Sequence, residues 1–432
     1  MDKETIVKTV LLVAAAGVLS SSAFDWKAKP VGQLKADLVA YARGVGETDL
    51  ADRVEKSTGT AEWMRLAIQR GTELLKASEG GDFNDKRREH GLRIIDYPLH
   101  FDTYDANASL EDMRAYNETV YKYCAGARDR VFAEAGSAKI PEGQLRLWRI
   151  YNMGFIIKGP RHAVAIDVTN LPMFRDTPDR RLAPNKDFMI WKPEDWQRLV
   201  ALTDMFVLTH PHGDHYCREG LEAFRAAGKP VVLPCAPARL GLSADRCCIA
   251  LTRDNAEPID VGGVKIWNFM GNQGKNVPCN VYLMEIDGVR VAHNGDNSPV
   301  AKAAMLAKCP PADVIIASTW NRVQAMVGAC AAAPGFDRTK AVLIPSHENE
   351  LTHVVSHRES YWEMYERKDR LGDRSFPWPR VRPLGYGESV LFALRPSHGG
   401  ARRLAEPHGA CSRAAANWDS RLPGGAFPPR PN

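Results

Sequence analysis

The sequence predicts a mixed α/β chain: a helical N-terminal region followed by a two-sheet sandwich with helices on its outer faces. Three observations carry this. Apolar residues recur at helical spacing between about Lys29 and Ala138. From Leu145 the pattern changes to short β-rich runs. Those runs arrive both as meanders and as strand–helix–strand units, the mark of a mixed sandwich.

The length of 432 residues, with 44% hydrophobic and 25% charged, suits one large soluble domain or two ordinary ones. The net charge of +5 comes from 57 basic and 52 acidic residues, interspersed rather than blocked. No basic stripe with interleaved aromatics occurs, so no nucleic-acid partner is expected. The nine cysteines form no C-x-x-C pair, which argues against a zinc ribbon or a thioredoxin-like motif.

Residues 1–23 read as a secretory signal peptide. Val10 to Leu19 is apolar but too short to span a bilayer. Lys3 and Lys8 precede it, and Ser21, Ser22 and Ala23 offer small residues for cleavage. Export to the periplasm or the medium is the expectation, with a cytoplasmic location if the segment is not cleaved. No later segment is apolar enough to be a transmembrane helix.

Residues 24–144 form the helical region. Thr60 to Ala77 places Trp63, Leu66, Ala67, Leu74 and Leu75 close to one face. A further helix starts near Ser109, which caps it with Asp112 as its capping-box partner. This region holds no catalytic constellation and is expected to pack on the main domain or cover its site.

Residues 145–395 carry the strands. Leu147–Ile150 and Phe155–Ile157 read as a pair, with Asn152 and Gly154 suiting the turn. His162–Val168 and Met205–Leu208 follow, then a helix over Cys217–Ala227 and a strand at Pro230–Leu233. Val264–Phe269, Val281–Ile286 and Val289–Ala292 form a meander, and Val314–Ala317 and Ala341–Ile344 are the last clear strands. The Gly262–Gly263 doublet suits a hairpin turn. Residues 396–432 have too few large apolar residues for a core and read as a disordered tail.

The chemistry sits in Thr209 to Tyr216, THPHGDHY, an H-x-H-x-D-H run directly after an apolar strand. Residues two apart share a side in extended chain, so His210 and His212 can hold one ion. Asp214 and His215 lie past a glycine, where the chain can turn toward a second ion. Imidazole and carboxylate together suit zinc, and also manganese or iron.

With this run the sequence resembles the metallo-β-lactamase superfamily over roughly Leu145 to Phe392. It resembles in particular the stand-alone hydrolases that include ascorbate-6-phosphate lactonase and the N-acylethanolamine-releasing phospholipase D. The resemblance implies an αββα sandwich with one or two divalent ions at one edge. Asp167 in VAIDVTN matches the family's first motif and would support the metal loop without binding metal. Asp296 in VAHNGDN matches the bridging carboxylate, and His347 in VLIPSHENE the late histidine beside Asp214 and His215. The third motif departs: Asn268 to Asn280 contains no histidine, and Asn272 or Gln273 is the nearest substitute ligand.

A metal-activated water would attack an ester, lactone or phosphodiester in a small or lipid-like substrate, with Asp214 or Asp296 accepting its proton. His353, Asn297, Trp320 and Asn321 are candidate substrate contacts. His293 reads as a sheet-face residue, and His357 as a solvated helix face. Two other classes remain open: a silent binding protein with a degraded metal site, motivated by the missing histidine, and a diiron redox protein.

Overall fold

The computed structural model describes residues 29–101, 109–170, 172–175, 183–189, 191–273, 277–297, 307–318, 320–351, 359–371 and 380–394. The expected leader at 1–23 and tail at 396–432 lie outside these, as do His353 and His357.

The N-terminal region comprises α1 (Val31–Gly44), α2 (Thr48–Lys56), α3 (Thr60–Ala77), α4 (Lys86–Leu99) and α5 (Leu110–Ser137). α3 buries the five apolar side chains that its periodicity singles out. It packs tightly on α4: a Cβ on Gly71 would lie 2.7 Å from the Gly91 carbonyl oxygen. At the start of α5, Ser109 Oγ accepts from Asp112 N at 3.0 Å and donates to the Asp112 carboxylate at 2.7 Å. That satisfies one of the amides a helix N-terminus leaves open.

The strands follow in the order β1 (Gln144–Tyr151), β2 (Gly154–Lys158), β3 (Ala163–Ile166), β4 (Pro172–Arg175) and β5 (Ala183–Met189). Then come α6 (Pro193–Leu202), β6 (Met205–Val207), α7 (Arg218–Ala226), β7 (Val231–Leu233), β8 (Cys248–Ala250), β9 (Ile259–Val261), β10 (Val264–Met270), β11 (Asn280–Ile286) and β12 (Val289–His293). The chain continues through β13 (Val314–Ser318), α8 (Trp320–Ala331), β14 (Val342–Ser346), α9 (Tyr361–Leu371) and β15 (Ser389–Ala393).

Two mixed sheets result. One has the order β15-β1-β2-β3-β6-β7-β8 and the other β14-β13-β12-β11-β10-β9, while β4 and β5 pair separately. The period-two alternation of the strands decides which face meets what. Leu147, Phe155, Val164 and Val207 of the first sheet share a core with Ile266, Met284, Val291, Ile316 and Ile344 of the second. Their neighbours Trp148, Ile156, Ala165 and Phe206 turn the other way, into a core shared with the helices. This is the sandwich with outer helices that the sequence predicts.

The helical region shares that outer core. Phe83, just before α4, stacks on Tyr365 of α9 at 4.6 Å, and Tyr41 of α1 meets Trp362 at 4.8 Å. Lys158 at the end of β2 donates to the carbonyls of Ala135 and Ala138 at the end of α5. Gly262 and Gly263 make the β9–β10 turn with φ of +59° and +93°, which only glycine adopts cheaply at both positions. Among the described residues no helix is long and apolar enough to cross a membrane.

Candidate metal centre

The parallel strands place the sequence motifs at one edge. β3 and β6 run parallel in the first sheet, as do β12, β13 and β14 in the second. Asp167 follows β3, the His210–His215 loop follows β6, Asp296 follows β12 and His347 follows β14. The sheets are tied beside this edge: Asn280 N donates to Thr209 O at 2.9 Å, and Tyr282 Oη to Leu208 O at 2.9 Å.

Asp214, His215 and His347 converge. Asp214 Oδ2 lies 3.3 Å from His215 Nε2 and 3.2 Å from His347 Nε2. All three residues are buried. A second trio joins His210, His215 and Asp296, with His210 Nε2 3.2 Å from Asp296 Oδ1. Asp296 Oδ2 is 3.8 Å from His347 Nε2, so the two trios adjoin through His215 and Asp296.

His212 stands outside both trios. Its Nδ1 meets His210 Nε2 at 3.1 Å, and the ring is half-buried. Both expected pairs, His210 with His212 and Asp214 with His215, are in contact, and His215 and Asp296 adjoin His210 as well. Past Pro211 the loop folds on itself, with His215 N bonding back to His212 O at 2.9 Å.

Asp167 holds this loop from below. It is buried, with a left-handed φ of +48°. Its carboxylate accepts from Thr209 N at 2.8 Å, Thr209 Oγ1 at 2.5 Å and His215 Nδ1 at 2.8 Å. In the neutral ring that last bond keeps the proton on Nδ1 and leaves the Nε2 lone pair facing Asp214.

The electrostatics suit a cation. Burial opposes ionisation of Asp214, but His215 and His347 outweigh it and hold the carboxyl well below the usual carboxylate range. Burial likewise opposes protonation of His215 and His347, and the carboxylates outweigh it and raise both rings. His210 goes the other way: burial, reinforced by His215 and His212, keeps it well below the usual imidazole range and neutral. The pocket thus draws positive charge between Asp214 and two imidazoles. The donors are also correctly spaced, because bonds of about 2.0–2.1 Å in a tetrahedral site put ligand atoms roughly 3.3–3.4 Å apart. The residues present fit a divalent ion.

The remaining candidates divide. Gln273, half-buried after β10, donates from Nε2 to the Asp296 carboxylate, so the third-motif stretch does reach the site. Asn272 beside it is exposed. Asn297 is buried, its Nδ2 3.0 Å from the Asn294 carbonyl, and it closes its own loop without facing solvent. His293 is a satisfied buried residue: Nε2 meets Met153 O at 3.1 Å and Nδ1 accepts from Gly295 N at 3.1 Å. Trp320 and Asn321 open α8, directly after β13.

One residue at the site was read from the sequence as a turn former alone. Asn152, between β1 and β2, donates from Nδ2 to Asp214 Oδ2 at 3.2 Å and to Asp214 O at 3.1 Å. Asparagine is common in turns, and nothing local marks one whose side chain meets a loop 62 positions later.

No family model and no curated protein matches the chain. Solved structures do. Igni18, a metallo hydrolase from the archaeon Ignicoccus hospitalis, is 18% identical with a TM-score of 0.40, over 58% of this chain and 100% of its own. The isothiocyanate hydrolase from Delia radicum gut bacteria is 17% identical with a TM-score of 0.40, over 57% of this chain and 99% of its own. The metallo-β-lactamase fold protein YhfI from Bacillus subtilis is 12% identical with a TM-score of 0.35, over 58% and 99%.

Proposed function

We propose that this protein is a metal-dependent hydrolase of the metallo-β-lactamase type, acting on an ester, lactone or phosphodiester. The observation that carries the reading is the buried trio of Asp214, His215 and His347, with donor spacings of 3.2 and 3.3 Å and with His215 aimed by Asp167. Asp214, His215 and His347 would hold the ion, with His210 and Asp296 adjoining. Zinc suits this donor set, and manganese or iron are also compatible. Bound there, a divalent ion supplies Lewis acidity that activates water and polarises the scissile group.

The chain's own residues do the rest. Asp214 and Asp296 present carboxylate oxygens to the same small volume, where either orients water and accepts its proton. Asp167 keeps the His215 proton on Nδ1, out of the reacting volume. Gln273 fixes the rotation of the Asp296 carboxylate. The branch that includes ascorbate-6-phosphate lactonase and the N-acylethanolamine-releasing phospholipase D remains the best guide to substrate class. The run Val10–Leu19 supports export through a cleaved leader, which N-terminal sequencing of the protein from its native cell would check.

The test is metal content by elemental analysis, together with hydrolysis of a generic nitrophenyl ester, a lactone and bis(nitrophenyl) phosphate. One or two equivalents of metal in the wild type, lost in Asp214→Ala, with turnover abolished by chelation and restored by metal, support the reading. A wild-type protein that takes up no zinc, manganese or iron overturns it.

A further inference from the structure

The β1–β2 turn makes contacts that a hairpin turn does not need. Asn152 is fully buried and left-handed, with φ of +49°, a conformation that asparagine tolerates better than most residues. Its Nδ2 reaches both the carboxylate and the backbone carbonyl of Asp214. Two bonds from one amide to one residue set both where Asp214 sits and how its carboxylate is rotated. The Asp214 loop has other restraints on either side, with Asp167 holding Thr209 and His215. Thr169 Oγ1 to Gly213 O, at 2.8 Å, is one of them.

The same turn touches the other ligand-bearing segments. Arg149 is fully buried, and its Nε donates to Asn152 O at 3.0 Å. Its Nη1 lies 3.1 Å from Glu348 Oε2, the neighbour of His347. The next turn residue, Met153, accepts from His293 Nε2, at the end of the strand that leads to Asp296. A register shift between Arg149 and Tyr151 interrupts the β1–β2 ladder immediately before the turn. Such irregularities re-aim side chains beside functional sites.

We propose that Asn152 is a positioning residue of the metal centre: its amide sets the aim of Asp214 and thereby the affinity and geometry of the bound ion. The proposal rests on the metal-dependent reading. Partners that orient a ligand typically govern metal affinity by about 10- to 100-fold, and a neutral amide donor does so without neutralising the carboxylate. A purely structural turn would instead affect stability alone.

Two variants separate these cases. Asn152→Gly keeps the left-handed backbone and removes the donor. Asn152→Asp keeps the shape and faces Asp214 with a second carboxylate. Each is titrated with Co2+, following the visible d–d bands, beside the melting temperature of the metal-free protein. Expected are a 10- to 100-fold weaker Co2+ affinity and shifted bands in Asn152→Gly, with a larger loss in Asn152→Asp. Wild-type affinity and bands in whichever variants fold, even at a lowered melting temperature, overturn the proposal and leave the metal reading intact. A wild-type protein that binds no Co2+ overturns both.

Discussion

The Asp96 carboxylate of α4 accepts a 2.6 Å hydrogen bond from the side-chain amide of Asn349, two residues past His347. Its other oxygen accepts from Trp362 N at 2.7 Å. The helical region therefore grips the loop that carries a candidate ligand. That loop needs a grip: His347 and Asn349 adopt φ of +77° and +58°, and non-glycine residues persist there only when their surroundings hold them. Tyr386 Oη adds bonds to the carbonyls of Glu348 and Asn349 at 3.0 and 2.9 Å.

This contact gives stability a pH dependence. Burial raises the Asp96 carboxyl to about 8, with nearby Glu348 adding to the shift against the bonds that lower it. Unfolded, the group titrates near an ordinary aspartate value of about 4. A raised folded value means that stability is fully present below about 4 and is lost as pH rises through about 8. Wild type should accordingly lose stability between pH 5 and 9, and Asp96→Asn should lose less. Urea unfolding of both across that range decides it. Parallel pH profiles would remove Asp96 as the cause.

Asp167→Asn should damage the site without emptying it of side chains. The carboxylate accepts three bonds, and an amide in its place turns a donor toward Thr209 or His215. A buried donor left unpaired costs about 1–3 kcal/mol. Zinc affinity should fall by about 10- to 100-fold. Chemical denaturation with and without zinc measures both, and an unchanged zinc affinity would count against Asp167 as the residue that aims His215.

Gly295 precedes Asp296 with φ of +56°, and a Cβ there would lie 2.6 Å from Thr209 Oγ1 and 2.9 Å from Thr209 Cβ. Gly295→Ala should therefore combine backbone strain with a clash, together about 2–4 kcal/mol, and should weaken metal retention. Gly288, with φ of +84° and open space around its Cβ position, provides the comparison. Gly288→Ala should cost only about 1–2 kcal/mol of strain. Thermal melts rank the two, and equal costs would mean that the contact with Thr209 relaxes freely.

The histidines should not be equivalent. His347→Ala removes a member of the Asp214 trio, whereas His212 lies outside both trios. Metal retained after dialysis should fall further in His347→Ala than in His212→Ala. The reverse order would show that the ion sits between His210 and His212.

Much of the framework is written locally. The alternation in β10, β11 and β12 and the helical period of Thr60–Ala77 can each be read from a short window, because pleat and helix turn repeat over a few residues. The short strands β8 and β9, the β4–β5 pair and α6 were not legible in this way. The three or four residues of β4, β8 and β9 give no clear period, and the seven of β5, APNKDFM, do not alternate. α6 did carry a start signal, in Pro193 followed by Glu194 and Asp195.

By itself the sequence carried the mixed-sandwich architecture and the His210–His215 run, because strand periodicity and a short motif are properties of neighbouring residues, while Asp167, Asp296 and His347 came only from the resemblance to a family's motifs. Tertiary structure alone decided that His210 faces His215 and Asp296, that Gln273 reaches Asp296, and that Asn152 and Asp96 buttress the site from 62 and 253 residues away. The reason is physical. A hydrogen bond between distant segments is fixed by how two sheets and a layer of helices pack, and that packing leaves no period in the chain.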